Sequence, residues 1–271
     1  MEIGSVENHR VREGGALVYP VYSRRSQGLS LGINVFPDRK RCSFNCPYCE
    51  VFPFETKIRF SLELMETTLR RELTRITAQG IAVKDICFSG NGEPTMAPEF
   101  PAALETVLRI RDASAPAASA VVITNGTGLL NKRLFDLLSC AADHGLKLWI
   151  KLDAGTESWY RVMNRSATPY QSLLDAAREF VSRSPATLQT MRCKVNGQAP
   201  SQEEREAWEK LVTELAGGSK VERVQLYGKA RAAPEDPLAE PLSQETLEQY
   251  AQSLRKRLDQ AGARTAVQVF P

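Results

Sequence analysis

The sequence is poor in histidine: His9 and His144 are the only two. Neither stands near another candidate ligand or nucleophile, so acid–base catalysis of the usual imidazole kind has no obvious agent. No apolar run reaches the roughly 18 residues of a membrane span, and no membrane association is expected. The N-terminal MEIGSVENHRVREGG carries charges without an apolar core, so it does not read as a signal peptide, and the cytoplasm is the expected compartment. Low-complexity tracts and Gly/Ser linkers are also missing, so the 271 residues read as a single domain. Six cysteines are too few for a disulfide scaffold in a chain of this length. The formal charge of +3 falls short of a strongly basic nucleic-acid binder, although it permits a polyanionic partner.

What is present is an alternation of short apolar runs with helix-period segments. LSLGINVF (29–36), DICFSG (85–90), AVVITNG (120–126), KLWIKLDAG (147–155), TLQTMRCKV (187–195) and RVQLYGKA (223–230) are nearly continuous in apolar character, as strands buried on both faces of a parallel sheet are. Between them, Leu62, Met65, Leu69, Leu73 and Ile76 recur at helical spacing after an N-cap at Ser61. Ser201 and Glu204 form a capping box before Trp208, Leu211, Val212 and Leu215. Leu247, Tyr250, Leu254 and Leu258 form the last stripe, closed by Gly262, and GARTAVQVFP adds an edge strand. The pattern predicts an α/β fold with a mostly parallel sheet in a partial (βα)6 TIM-like barrel; an open doubly wound sheet is the competitor. Either places ligands at the carboxyl ends of the strands.

Three of the cysteines, Cys42, Cys46 and Cys49, fall within eight residues directly after the first of these strands. Thiolates select zinc or iron–sulfur clusters. The embedded Cys46-Pro47-Tyr48-Cys49 read alone suggests a redox dithiol, but that reading leaves Cys42 unused. A closed zinc site needs a fourth ligand, and a covalent haem motif needs His where Glu50 stands. Three cysteines on a [4Fe–4S] cluster leave one iron open.

The C-x3-C-x-aromatic-C pattern, with Tyr48 in the aromatic slot, resembles the signature of the radical S-adenosylmethionine (SAM) superfamily. The resemblance implies that Cys42, Cys46 and Cys49 hold the cluster. It further implies that SAM chelates the open iron, and that reductive cleavage gives a 5′-deoxyadenosyl radical that abstracts hydrogen from a substrate. Gly90-Asn91-Gly92-Glu93-Pro94 is similar to the superfamily's G-G-E-P segment, which binds the SAM amino group. Asn91 departs from the pattern, and its tolerance of left-handed backbone is what would preserve the site. Without the resemblance, the same residues read as a turn with a helix-capping acid.

Thr124-Asn125 at the third strand end is similar to a T-N-G of relatives that suits ribose hydroxyls or the SAM carboxylate; a plain Asn-Gly turn is the alternative. Lys151 and Asp153 share one face of the fourth strand. Facing inward they would meet SAM's zwitterionic end, and facing outward they would pair with helix charges. Arg192 is a candidate for the SAM carboxylate, and Tyr227, Lys229 and Arg231 are candidates for substrate contact. Cys87, Cys140 and Cys193 read as small buried hydrophobes.

The match runs over about residues 23–234, with a C-terminal helix and edge strand in 243–271. It looks like a group of small stand-alone Fe–S oxidoreductases, distantly similar to wyosine-forming tRNA enzymes and to glycyl-radical-enzyme activases. It implies a reductase partner such as flavodoxin or ferredoxin. Arg24, Arg25, Arg39, Lys40 and Arg41 are compatible with a nucleic-acid substrate, or with a solvated loop and SAM-side contacts. Glu50 departs from the His or aromatic residue that follows the third cysteine in activases.

Overall fold

Each apolar run of the sequence forms a strand in a computed structural model of the chain, which describes residues 3–6 and 15–271. His9 lies outside the described residues. The chain divides into two compact units, one of residues 1–42, 53–124 and 140–148, the other of 43–52, 125–139 and 149–271.

The first unit carries β1 (Val18–Ser23), β2 (Gly28–Ile33), β3 (Val83–Phe88) and β4 (Ser119–Thr124) side by side, followed by the first half of β5 (Leu146–Lys151). β2, β3 and β4 are parallel, with Leu31 beside Ile86 and Cys87 beside Val121. β1 lies antiparallel on the outer side of β2 and is absent from the strands expected from sequence. Its Pro20 has no N–H to give to a ladder, which an edge strand tolerates. Helix α1 (Leu62–Ala78) begins where Ser61 accepts a hydrogen bond from Leu64 N, and Met65, Leu69, Leu73 and Ile76 are its buried stripe. Helix α2 (Phe100–Ser114) buries Phe100, Leu104, Val107 and Ile110; Phe100 meets Phe88 edge to face at 5.3 Å.

The second unit continues from β5 with β6 (Ala186–Val195), β7 (Val221–Gly228) and β9 (Ala266–Phe270); β8 (Ala239–Pro241) pairs antiparallel with β6. β9 is the edge strand expected from GARTAVQVFP, parallel to β7. β3, β4, β5 and β6 are connected by helices, α3 (Lys132–Asp143) among them, which is the βαβ logic read from the sequence. In the second unit, α4 (Glu157–Met163) and α5 (Tyr170–Arg183) connect β5 to β6. Helix α6 (Gln202–Ala216) follows β6, and α7 (Gln244–Gln260) precedes β9.

The capping box is half realised. Ser201 accepts from Glu204 N as expected, but the Glu204 carboxylate turns away from the helix start. It takes Gly155 N at 2.7 Å, Thr156 N at 2.9 Å and Thr156 Oγ1 at 2.6 Å. Three donors on the turn after β5 outweigh the single cap N–H that a reciprocal box would satisfy. Cys140 is a second correction, since it is exposed rather than buried, unlike Cys87 and Cys193.

Buried thiols carry a pH consequence. Burial pushes the Cys46 and Cys193 thiols up to about 12 and Cys87 higher still, against about 8.5 in an unfolded chain. The native state therefore holds these protons more tightly. Their contribution to stability is complete below about pH 8.5 and is lost as pH rises toward the native values, at up to about 1.4 kcal/mol per pH unit for each thiol. Urea midpoints measured from pH 7.5 upward are expected to fall above about pH 8.5, and Cys193→Ala to flatten that fall. Equal slopes in variant and parent would contradict it.

Candidate active site

Each unit gathers its own group of the residues singled out in the sequence. In the first, the segment after β3 is built around Gly92. Arg41 pairs with Gly92 as an isolated parallel bridge, with Arg41 N donating to Asn91 O at 3.1 Å and Glu93 N to Arg41 O at 2.8 Å. Gly92 has φ of +133°, and a Cβ there would sit 1.7 Å from Arg41 O. The sequence reading placed the conformational burden on Asn91. The structure moves it to Gly92, since Asn91 is not among the positive-φ residues. Asn91 instead serves as a tie: its N–H donates to Asn34 Oδ1 at 3.3 Å and its Nδ2 to Phe36 O at 3.2 Å.

Gly92→Ala is accordingly expected to lower stability by about 3 kcal/mol, from a disfavoured backbone and two lost hydrogen bonds. Urea denaturation followed by circular dichroism checks this, and a loss under about 1 kcal/mol would contradict it.

Glu93 is 2% exposed and caps the short 3-10 turn Pro94–Met96. Its Oε1 accepts from Thr95 N at 3.2 Å, Thr95 Oγ1 at 2.7 Å and Thr124 Oγ1 at 2.8 Å. Two neighbouring strand ends thus fix the orientation of one buried carboxylate. Beside the bridge, Asp38 collects three arginines: Arg41 at 2.6 Å, Arg39 at 3.4 Å and the exposed Arg59 at 3.6 Å. The contacts on Arg41 and Arg39 hold the Asp38 carboxyl below its ordinary range, against the opposing effect of burial.

In the second unit, Cys49 N donates to Cys46 O at 3.1 Å, so Cys46-Pro47-Tyr48-Cys49 is a tight turn. Asn125 fixes the chain just before it. Its Nδ2 donates to Ser43 Oγ at 2.9 Å, and its Oδ1 accepts from Thr127 N and Oγ1 at 3.0 and 2.7 Å.

The hub is Asp153, 2% exposed. Its Oδ2 accepts from the Tyr48 hydroxyl and from Asn164 Nδ2 at 2.8 Å, and its Oδ1 from Met191 N at 2.9 Å. Lys151 Nζ stands 3.4 Å from Asp153 Oδ2 and donates to the Tyr227 hydroxyl, with the Tyr48 and Tyr227 rings 5.0 and 5.2 Å away. Burial opposes the charge of Lys151, but Asp153 and Tyr227 outweigh it and hold the amine above its ordinary range. Burial, then the Asp153 charge, raises the Tyr48 phenol. A small cavity of about 30 Å³ adjoins this network, lined by Phe44, Tyr160 and Tyr170 among others.

Arg192 is wholly buried. Its guanidinium stacks 4.3 Å from the Trp208 ring, donates to Asp153 O at 3.1 Å and lies 3.6 Å from Glu204. Burial lowers its pKa, against Glu204 and Asp153. The three candidate substrate contacts divide. Tyr227 is buried against Lys151, Lys229 is paired with Asp236 at 2.6 Å, and Arg231 Nε is bonded to Glu50 Oε2 at 2.5 Å. Asn164, Ser43, Thr95 and Glu50 are the members that sequence reasoning missed. Ser43, Thr95 and Glu50 had a local signal, next to Cys42, Pro94 and Cys49; Asn164 had none.

None of the cysteines among the described residues is in a disulfide. Among those residues no three His, Cys, Asp or Glu side chains stand close enough together to hold a metal ion. The donor chemistry nevertheless fits an iron–sulfur group: three thiols lie within eight residues, two of them on one tight turn. Asn164 Nδ2 lies 3.7 Å from the Cys46 sulfur. An amide donor at that sulfur suits a ligated thiolate, and ligation would displace the proton that burial now keeps on Cys46.

The fold is that of the radical SAM enzymes. A radical SAM methyltransferase from Sphaerobacter thermophilus superposes with a TM-score of 0.65 at 18% identity, over 89% of this chain and 66% of that one. Streptococcus suis SuiB bound to S-adenosylmethionine gives a TM-score of 0.62 at 14% identity, over 92% of this chain and 49% of that one. The mixed α/β topology expected from sequence, a partial TIM-like barrel with mostly parallel strands, is therefore the observed one.

Curated relatives include a UPF0026 protein of Helicobacter pylori strain J99, 30% identical over 112 residues, and the UPF0026 protein slr1464 of Synechocystis, 32% identical over 139 residues. These alignments take in 40% and 51% of this chain but only 34% and 48% of the relatives. No family model matches the sequence. Among the described residues no helix is long and apolar enough to cross a membrane.

Proposed function

We propose that this chain is a radical SAM enzyme in which Cys42, Cys46 and Cys49 hold a [4Fe–4S] cluster. The observation that carries this reading is three thiols outside any disulfide within eight residues, following β2 in a fold shared with radical SAM enzymes. A cluster held there would supply the one-electron reduction that cleaves SAM to methionine and a hydrogen-abstracting 5′-deoxyadenosyl group. Glu93, oriented by Thr95 and Thr124, receives the SAM ammonium. Gly90, Asn91, Gly92 and Pro94 shape the backbone around it, and Asn125 fixes the approach to the cysteine turn. Lys151, whose side chain keeps 16% exposure, is placed to meet a carboxylate, whereas Asp153 at 0% acts through Tyr48 and Asn164. Arg192 supports the Asp153 backbone from behind. The substrate is a small molecule or a nucleoside in tRNA, met near Tyr227, Lys229 and Arg231. A one-electron carrier such as flavodoxin or ferredoxin supplies the reducing equivalent.

Anaerobic reconstitution, reduction and addition of SAM, followed by chromatography for 5′-deoxyadenosine, tests the reading. Formation of 5′-deoxyadenosine supports it. A cluster whose EPR signal is indifferent to SAM, with no 5′-deoxyadenosine, would leave a non-catalytic scaffold instead. Deuterium transfer into a partner protein, rather than into a small molecule or tRNA, would identify an activase.

A further inference from the structure

Asn164 follows α4 at a position that no motif marks, and both of its polar groups turn toward the cysteine segment. Its carbonyl accepts from Asn45 N at 2.9 Å. Its Nδ2 lies 3.7 Å from Cys46 Sγ and 2.8 Å from Asp153 Oδ2. An amide has two N–H donors, which matches one for each acceptor. Asn164 is only 2% exposed, so solvent scarcely competes for either.

The turn that produces this arrangement is strained. Asn164 has φ of −114° and Arg165 follows at +45°, a left-handed conformation that costs a residue with a Cβ about 1–2 kcal/mol. Arg165 is secured there by Glu235 at 2.6 Å. A chain that needed only to end a short helix would put Gly or Asn in the left-handed position itself. Here the Asn stands one residue earlier, with its amide committed to a sulfur and a carboxylate.

We propose that Asn164 is a positioning residue for Cys46: it holds the main chain just before Cys46, donates to the Cys46 sulfur, and so sets the reduction potential of a cluster bound there. The inference rests on the cluster-binding reading of the cysteines. Hydrogen bonds to ligand sulfur favour the more negative, reduced cluster.

The test uses the full chain carrying Asn164→Leu, or Asn164→Ala if the leucine variant does not fold; both keep the backbone bond to Asn45. In the reconstituted protein, an EPR redox titration is expected to show the reduced-to-oxidised ratio at the parent midpoint about tenfold lower, a shift of about 59 mV to more negative potential. In the metal-free protein, iodoacetamide labelling read by mass spectrometry is expected to show the Cys46-to-Cys49 rate ratio lowered about fivefold, because the lost hydrogen bond no longer stabilises the reacting thiolate. An unchanged midpoint at parent iron content overturns the proposal. If the parent chain takes up no iron, the cluster reading itself fails, and an unchanged labelling ratio overturns the positioning role independently.

Discussion

Cys42→Ala is expected to abolish iron uptake, the visible absorbance of the reconstituted protein and its reduced EPR signal together. Which cysteines form the functional unit decides the outcome. A dithiol built on the Cys46-Pro47-Tyr48-Cys49 turn would be indifferent to Cys42, which lies four residues earlier in the chain. A cluster with three protein ligands loses one outright, and Glu50, the carboxylate next to Cys49 in sequence, is engaged by Arg231. Cys140→Ala is the control, since Cys140 is exposed and stands apart in sequence. It should keep parent iron content. Iron and sulfide analysis decides the matter. Cys42→Ala with undiminished iron, or with a Cys46–Cys49 disulfide exchanging in its place, would return the turn to redox chemistry and remove the basis for the radical reading.

The strands were legible because burial on both faces writes a continuous apolar run, and burial is a local property of composition. β2 to β7, α1 and α7 all fall close to the runs and stripes that announce them. β1 escaped because an edge strand can carry Pro20 and an exposed Tyr22 without cost to a ladder. The candidate site divides along the same line. Cys42, Cys46, Cys49 and the Gly90–Pro94 segment were readable from spacing. The partners that give them form were not. Tyr48 meets Asp153 across 105 positions of chain, and Asn164 meets Cys46 across 118. Glu204 shows how a correct local motif can still mislead: the cap was real, but long-range donors at Gly155 and Thr156 claimed the carboxylate. Asn91 and Gly92 repeat the lesson, because which residue of the segment must adopt positive φ is decided by the approach of Arg41.

Asp153→Ala is expected to cost about 3–5 kcal/mol, the range for removing one partner of a buried ion pair. The carboxylate satisfies the Tyr48 hydroxyl, Asn164 Nδ2 and Met191 N and faces the Lys151 ammonium. Alanine leaves all four without it. Lys151→Met is the informative contrast. Asp153 would keep its three hydrogen-bond donors, so the loss is expected to stay near 1–3 kcal/mol. Urea unfolding with linear extrapolation ranks the two. An Asp153→Ala loss clearly above that of Lys151→Met identifies the carboxylate as the hub from which Tyr48 and, through Asn164, Cys46 are held. Equal losses would instead make the ion pair the sole contribution and leave the cysteine turn to hold itself.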